Sequence, residues 1–289
     1  MKMGLICPSF SKVNIGLKVL NQRDDGYHNI YTIFQELNFG DSIYIEKRDQ
    51  GCKIIASVDW IPTDKSNICF KAYNEIKKEF SKVKGLCLKI EKKIPTGSGL
   101  GGGSANAAAV LKGINKIYKL KLTASKLEQI AREIGSDVPF FIKGKTQLGE
   151  GVGEKLTQIN KTIIGTYLLV IPEVSISTEW AYSIIKNKLN DQNKKVNFSS
   201  FFNGDYSSLK IFENDFEQIV IPAYPEIGAI KAKLLNLGAR FASLSGSGST
   251  VYGIFDDEAS AKEAELLFNP SHQTFLGTPL STDKHLNHI

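Results

Sequence analysis

The chain has 289 residues, with 36 basic and 30 acidic side chains and a formal net charge of +6. Its 42% hydrophobic and 23% charged residues are ordinary soluble usage, which excludes a disordered chain, a collagen and a coiled coil. No apolar run approaches the ~18 residues that a membrane-crossing helix needs, and at about 150 residues per domain the length suits one large domain or two of moderate size.

In chain order, Met1 to Ser11 shows no secretory signal. A strand follows, with Lys12, Asn14, Gly16 and Lys18 on one face and Val13, Ile15, Leu17 and Val19 on the other. Tyr31 to Leu37 and Ser42 to Glu46 read as two strands, and Asn38-Phe39-Gly40-Asp41 between them as a hairpin turn. Ile68, Ala72, Ile76 and Phe80 share one helical face, and Leu86, Leu88 and Ile90 alternate as a strand. The glycine-rich run Pro95 to Ser104 leads into a helix over Ala105 to Tyr118. A second helix spans about Ser125 to Ile134, with Ser125-x-x-Glu128 as a capping box and Gly135 as its stop. Phe140 to Ile142 is expected to resume as strand, and Gly149 to Gly153 to approach a domain boundary.

Beyond it, Thr166 to Ile171 is a strand, Thr178 to Leu189 a helix and Asn187 to Asp205 a mobile surface loop. Helix Glu226 to Leu237, strands Phe241 to Leu244 and Val251 to Phe255, and helix Glu258 to Phe268 give the second half a two-layer α+β pattern. The last twenty residues carry no usable signal. Cys7, Cys52, Cys69 and Cys87 contain no CxxC pair, so buried reduced thiols in a cytoplasmic protein are expected. His285 and His288 sit on a terminal tail without a second ligand pair. The mild positive charge suits anionic small substrates and lacks the concentrated stripe of a nucleic-acid binder.

The run Pro95-Thr96-Gly97-Ser98-Gly99-Leu100-Gly101-Gly102-Gly103-Ser104 lies between a strand and a helix. Backbone without Cβ atoms wraps closely around an anion, and the helix start adds free N–H donors and the positive end of its dipole. Gly97-x-Gly99-x-x-Gly102 formally matches the dinucleotide fingerprint. The first acid after it, however, is Glu128 on the next helix, not the end of a second strand. The P-loop pattern fails because Gly103 stands where its lysine belongs. Neither HRD nor DFG of the protein kinases occurs.

Pro-x-Gly-x-Gly-Leu-Gly-Gly-Gly-Ser-x-Asn, ending at Asn106, resembles instead the phosphate loop of the GHMP small-molecule kinases. Ser11-Lys12-Val13-Asn14 and Leu244-Ser245-Gly246-Ser247-Gly248-Ser249-Thr250 resemble two further motifs of that family, in the expected order. Arg23-Asp24-Asp25-Gly26-Tyr27-His28 and Gly135-Ser136-Asp137-Val138-Pro139-Phe140-Phe141 resemble segments of its branch that acts on a CDP-linked methylerythritol. Phe10-Ser11 in place of Pro-Ala and Asp24 in place of Pro are the departures.

The resemblance implies an α+β chain of two domains. The first is a ribosomal-protein-like nucleotide domain over residues 1–158, and the second a ferredoxin-like α/β sandwich over 159–289 that helps to bind the substrate. It implies ATP-dependent phosphorylation of the substrate's 2-hydroxyl in non-mevalonate isoprenoid synthesis. The partners are then small molecules, with neither nucleic acid nor membrane. Asp137 would be the base and Lys12 would stabilise charge; the resemblance puts these two side by side. Pro95, Thr96, Gly97, Ser98, Gly99, Leu100, Gly101, Gly102, Gly103, Ser104 and Asn106 would bind ATP. Asn14, Tyr27, His28, Thr178, Tyr182, Ser245, Gly246, Ser247 and Gly248 would bind the substrate, with Trp180 a rival of Tyr182 for stacking on the cytosine. Mg²⁺ is expected with the nucleotide, held mostly by ATP and water, with Ser104 as the side chain offered to it. Other kinases of the family, an NAD-binding oxidoreductase and an RNA-binding protein are the competing readings.

Overall fold

The computed structural model describes residues 4–185, 198 and 209–281. They fall into two compact units of discontinuous sequence: the described residues within Met1–Ser11, Gly40–Thr96 and Gly101–Gly144 in the first, and those within Lys12–Phe39, Gly97–Leu100 and Lys145–Ile289 in the second. Two long strands, β1 (Leu5–Gln22) and β2 (His28–Arg48), contribute to both. Residue 158, the boundary suggested by resemblance, lies inside the second unit.

In the first unit β3 (Gly51–Ala56) runs parallel to β4 (Gly85–Glu91), and β4 pairs antiparallel with the C-terminal half of β2, from Ser42 opposite Glu91 to Arg48 opposite Gly85. Helix α1 (Ile68–Glu79) starts at Asn67, whose side chain accepts the Cys69 N–H, and buries Cys69, Ala72, Tyr73 and Ile76. It packs on α2 (Gly102–Ile117), whose buried face includes Ala105, Ala108, Leu111 and Ile114. Gly113 of α2 meets β2 and β1: a Cβ there would stand 2.2 Å from Ile45 Cδ1 and 2.9 Å from Cys7 Sγ.

Three readings of this region are corrected. Asn38 to Asp41 makes no hairpin, because β2 runs through it as one strand of 21 residues. Gly40 is needed for clearance instead, since a Cβ would lie 2.3 Å from the Ser9 carbonyl oxygen. Helix α3 (Ala124–Arg132) is capped by Thr123, whose hydroxyl accepts the Lys126 N–H at 3.2 Å, two residues earlier than the predicted box at Ser125. Phe140 to Ile142 is not strand but the short helix α4 (Phe140–Lys143). A short apolar run has no period of its own, and here Val138, Phe140, Phe141 and Ile142 are all buried.

In the second unit the N-terminal half of β2 pairs with β5 (Thr146–Glu150), which forms a hairpin with β6 (Lys155–Gln158). Gly151 and Gly153 have φ of 69° and 105° and make that hairpin's turn, so the predicted break is local. A second, wholly antiparallel sheet has the order β10-β7-β9-β8, with β7 at Thr166–Ile171, β8 at Phe241–Leu244, β9 at Val251–Phe255 and β10 at Gln273–Gly277. Its helices are α5 (Thr178–Ile185), α6 (Glu217–Ala223), α7 (Pro225–Asn236) and α8 (Glu258–Leu266). Leu168, Val170, Leu244, Val251 and Phe255 of the sheet join Ile227, Ile230 and Leu234 of α7 in one core, completed by Leu17 and Val19 of β1. Each such side chain stabilises the fold by about 1.5–3 kcal/mol through burial. The loop expected at Asn187 to Asp205, the end of the helix past Ile185, and the histidine tail lie outside the described residues, apart from Phe198. All four cysteines are free; only Cys69 is fully buried.

Candidate active site

Lys12 and Asn14 alternate on one face of β1, and both are buried. Such burial of an ammonium requires partners. Lys12 Nζ donates to Asn14 Oδ1 at 2.7 Å and to the Gly99 carbonyl at 2.9 Å, and lies 5.7 Å from the centre of the Phe34 ring. Asn14 Nδ2 donates to Thr32 Oγ1 at 3.0 Å, and Thr32 returns its hydroxyl to the Gly16 carbonyl. Tyr252, fully buried on β9, donates its hydroxyl to the Asn14 carbonyl at 2.9 Å. The Lys12 ammonium is thus held by Asn14 and Gly99, and the Asn14 amide by Lys12 and Thr32.

The loop 245–250 closes on the same residues. Ser245 Oγ donates to the Gly99 carbonyl at 3.0 Å, so Gly99 accepts from both Lys12 and Ser245. The Thr250 N–H donates to the Ser98 carbonyl at 3.1 Å. Gly99 has φ +78°, and a Cβ on it would meet the carbonyl oxygens of Ser245 at 2.3 Å and Gly248 at 2.9 Å. Only glycine fits there. Gly246 and Gly248 also have positive φ. Asn214, buried, donates from Nδ2 to the carbonyls of Leu244 and Gly246 at 2.8 Å each and so holds this loop from behind. Ser247 and Thr178 exchange a hydrogen bond at 3.0 Å. Residues 97–100 and 245–250 therefore form one connected backbone surface around Lys12.

In the first unit, α2 begins at Gly101 in the left-handed conformation (φ 70°, ψ 18°), with no side-chain cap and no acidic residue in its first turn. The predicted helix start at Ala105 is three residues late, because Gly102, Gly103 and Ser104 form that first turn. Uncapped N–H groups and the helix dipole make this end receptive to an anion. Asn106 turns its side chain inward: Nδ2 donates to Ser9 Oγ and to Asp41 Oδ2, each at 2.8 Å. Lys92 Nζ lies 2.5 Å from the same Asp41 oxygen. Burial lowers the pKa of Lys92, and the Asp41 carboxylate opposes that shift. Asp137 sits half-buried in the turn Gly135 to Pro139 that leads into α4, where the Val138 N–H donates to the Gly135 carbonyl.

The aromatic residues separate cleanly. His28 opens β2, is buried, and stacks on Tyr182 with ring centres 5.5 Å apart and planes 22° apart. Tyr182 also meets the Phe216 ring edge-on at 4.9 Å. Trp180 packs edge-on against Tyr224 instead. Tyr27 is 66% exposed at the tip of the turn after β1, where Asp25 accepts its N–H and pairs with Arg23 at 2.7 Å. Of the sequence candidates, the structure brings together Lys12, Asn14, Ser98, Gly99, Ser245 and Gly246, and separately His28 with Tyr182 and Thr178 with Ser247. Lys12 belongs to the second unit and Asp137 to the first. Thr32, Asp41, Lys92, Asn214 and Tyr252 escaped sequence reasoning. None stands in a glycine motif, and a buried Asp on a strand has no sequence signature beyond the interruption that Gly40-Asp41 makes in an apolar run. Among the described residues no grouping of three His, Cys, Asp or Glu side chains suits a metal ion.

Comparison with known proteins agrees with this geometry. The model of the GHMP kinases N terminal domain matches residues 67–145, and that of the GHMP kinases C terminal matches residues 197–266. A 4-diphosphocytidyl-2-C-methyl-D-erythritol kinase of Acetivibrio thermocellus is 39% identical over 256 residues, spanning 87% of this chain and 90% of that protein. Its counterpart from Thermodesulfovibrio yellowstonii is 38% identical, spanning 91% and 94%. A crystal structure of a 4-(cytidine 5'-diphospho)-2C-methyl-D-erythritol kinase superposes with a TM-score of 0.80 at 27% identity, covering 96% of this chain and 99% of that one. A homoserine kinase from Cytophaga hutchinsonii shares the fold, with a TM-score of 0.74 at 18% identity. With two sheets, an uncapped helix after a glycine loop, and relatives matched along most of their length, the chain belongs to the GHMP kinase family, among its 4-diphosphocytidyl-2-C-methyl-D-erythritol kinases.

Proposed function

We propose that the protein transfers the γ-phosphoryl group of ATP to the 2-hydroxyl of 4-diphosphocytidyl-2-C-methyl-D-erythritol, releasing ADP, as a cytoplasmic step of non-mevalonate isoprenoid synthesis. The observation that carries it is the Lys12 ammonium, buried and held by Asn14 and Gly99 against two positive-φ glycine loops. A cation anchored beside backbone that wraps anions suits charge transferred as phosphoryl.

In the reaction the substrate oxygen attacks the γ-phosphorus, the bond to the bridging oxygen of ADP breaks, and the hydroxyl proton passes to the Asp137 carboxylate. Lys12 offsets the charge that develops on the transferring group. The transition state is loose, so orientation and charge weigh more than proton abstraction. The α2 start and residues 95–104 receive the phosphates. Magnesium, arriving with the nucleotide, supplies charge neutralisation; the Ser104 hydroxyl, partly exposed in the first turn of α2, is the side chain this chain offers it. His28 and Tyr182 form the aromatic wall for the cytosine, with Tyr27 on the exposed turn closing over it and Thr178 beside them. The partners are small molecules. No described helix is long and apolar enough to cross a membrane.

The test is ADP release by the purified protein with Mg·ATP and the cytidyl alcohol, with homoserine and mevalonate as parallel acceptors. ADP appearing with the cytidyl substrate alone is the expected result. Turnover with another alcohol instead would leave a kinase and overturn the cytosine assignment.

A further inference from the structure

Asp41 lies far from any motif in sequence, yet its carboxylate is fully shielded and takes four donors. Oδ1 accepts the backbone N–H of Lys93 at 2.7 Å and of Ile94 at 2.8 Å. Oδ2 accepts from Lys92 Nζ at 2.5 Å and from Asn106 Nδ2 at 2.8 Å. The first three donors lie at the entry to the glycine run 95–104, and the last lies at its exit, in the first turns of α2. The Lys92 side chain is 4% exposed, and its Nζ would lie 3.0 Å from a Cβ on Gly102. The same Cβ would lie 2.8 Å from Ile94 Cγ2. One buried ion pair thus ties both ends of the loop to β2.

A buried pair of this kind adds little net stability over apolar residues of equal volume, because desolvating two charges is costly. What it supplies is a fixed geometry: a planar acceptor with two oxygens sets both the loop's point of departure and the position of the helix start. We infer that Asp41, with Lys92 as its counter-ion, is a positioning residue for ATP, which sets the span and orientation of residues 95–104 without touching the reacting atoms. This rests on the kinase reading above. Gly40 belongs to the same device, because it lets β2 run close enough to Ser9 and Phe10 for Asp41 to reach the loop.

The test compares Asp41→Asn with the parent enzyme. The amide nitrogen would face Lys92 and Asn106, donor against donor, while one oxygen still serves Lys93 and Ile94. The expected result is a KM for ATP raised on the order of tenfold or more, with kcat and the KM for the cytidyl alcohol within about twofold. Hydrogen exchange of the ligand-free protein reads the geometry apart from activity. Residues 92–106 should exchange on the order of tenfold faster, with β7, β9 and α7 unchanged. Ser9→Ala, which removes only the second partner of Asn106, keeps the test open if Asp41→Asn does not fold, and should raise the KM for ATP about two- to fivefold. Both KM values and kcat moving together, with faster exchange everywhere, would show a merely structural Asp41 and overturn the inference. So would an unchanged KM for ATP and unchanged exchange in every folded variant. If the parent enzyme turns over no cytidyl alcohol, the kinase reading fails first, and the exchange arm still decides whether Asp41 holds the loop.

Discussion

Lys12 shows how one side chain can be anchored before any substrate arrives. Two of its donors are committed, to Asn14 and Gly99, at 2.7 and 2.9 Å, so little rotamer freedom remains to be lost when a substrate arrives. Replacing Lys12 with Ala, or Asp137 with Asn, should cut kcat by on the order of 100-fold or more with far-ultraviolet circular dichroism unchanged. Near-normal turnover by either variant would remove that residue from the chemistry. Tyr182 gives a different signature. Base stacking is worth ~1–3 kcal/mol, so Tyr182→Ala should raise the KM of the cytidyl substrate by about ten- to a hundredfold and leave the KM of ATP alone. The same loss from Trp180→Ala would reverse the assignment that the His28 stack supports. Lys12, Asp137 and His28 could be named from the sequence because they stand inside motifs. Asp41 and Asn214 could not, because they bond backbone groups 52 and 30 residues away, and no local pattern records such a distance.

At the scale of elements, glycines with the same backbone angle differ in what surrounds them. Gly26 and Gly99 both have φ near +80°, but a Cβ on Gly26 meets nothing within 4 Å, whereas one on Gly99 strikes two carbonyl oxygens. Gly26→Ala should therefore cost only the left-handed strain, about 1 kcal/mol. Gly99→Ala should cost several kcal/mol, lower Tm by roughly 5 °C or more, and raise the KM for ATP as well. Equal shifts for the two variants would show that clearance around Gly99 does not matter. Strands β7, β8 and β9 were legible to the residue because apolar runs between turn signals specify their own ends. Gly40 misled, since a glycine used for close approach between strands looks in sequence like one used to turn. Residues 140–142 misled for another reason: three buried apolar residues in a row satisfy either period. β10 left no trace, because its Gln273-Thr274-Phe275-Leu276-Gly277 does not alternate cleanly and its burial is partial.

For the molecule as a whole, the four cysteines bear on handling. Burial pushes the Cys52 thiol up to about 11 and raises those of Cys69 and Cys7 as well, with Lys112 and Lys116 partly offsetting the last. The thiolate is the reactive form, so at pH 8 these three should react with Ellman's reagent at least tenfold more slowly than in guanidinium, where all four titrate. A fast phase of three or four thiols in the native protein would contradict that burial. The α+β class and the kinase loop were readable in the sequence. The interleaving of the two units was not, because residues 12–39 carry no mark of belonging with 145–289 rather than with their own neighbours.

That interleaving has a consequence for synthesis. Leu17 and Val19 leave the ribosome early, but the core they join is built from Leu168, Val170, Ile227, Leu234 and Phe255, about 150 or more residues downstream. At roughly 5–20 residues per second, those apolar side chains wait on the order of ten seconds or longer for their neighbours. The first unit's last segment ends at residue 144, so its sequence is complete well before the second's. A nascent chain of about 150 residues would thus carry a finished helical layer beside an apolar half-strand without a home, which is the form most exposed to chaperones and to aggregation.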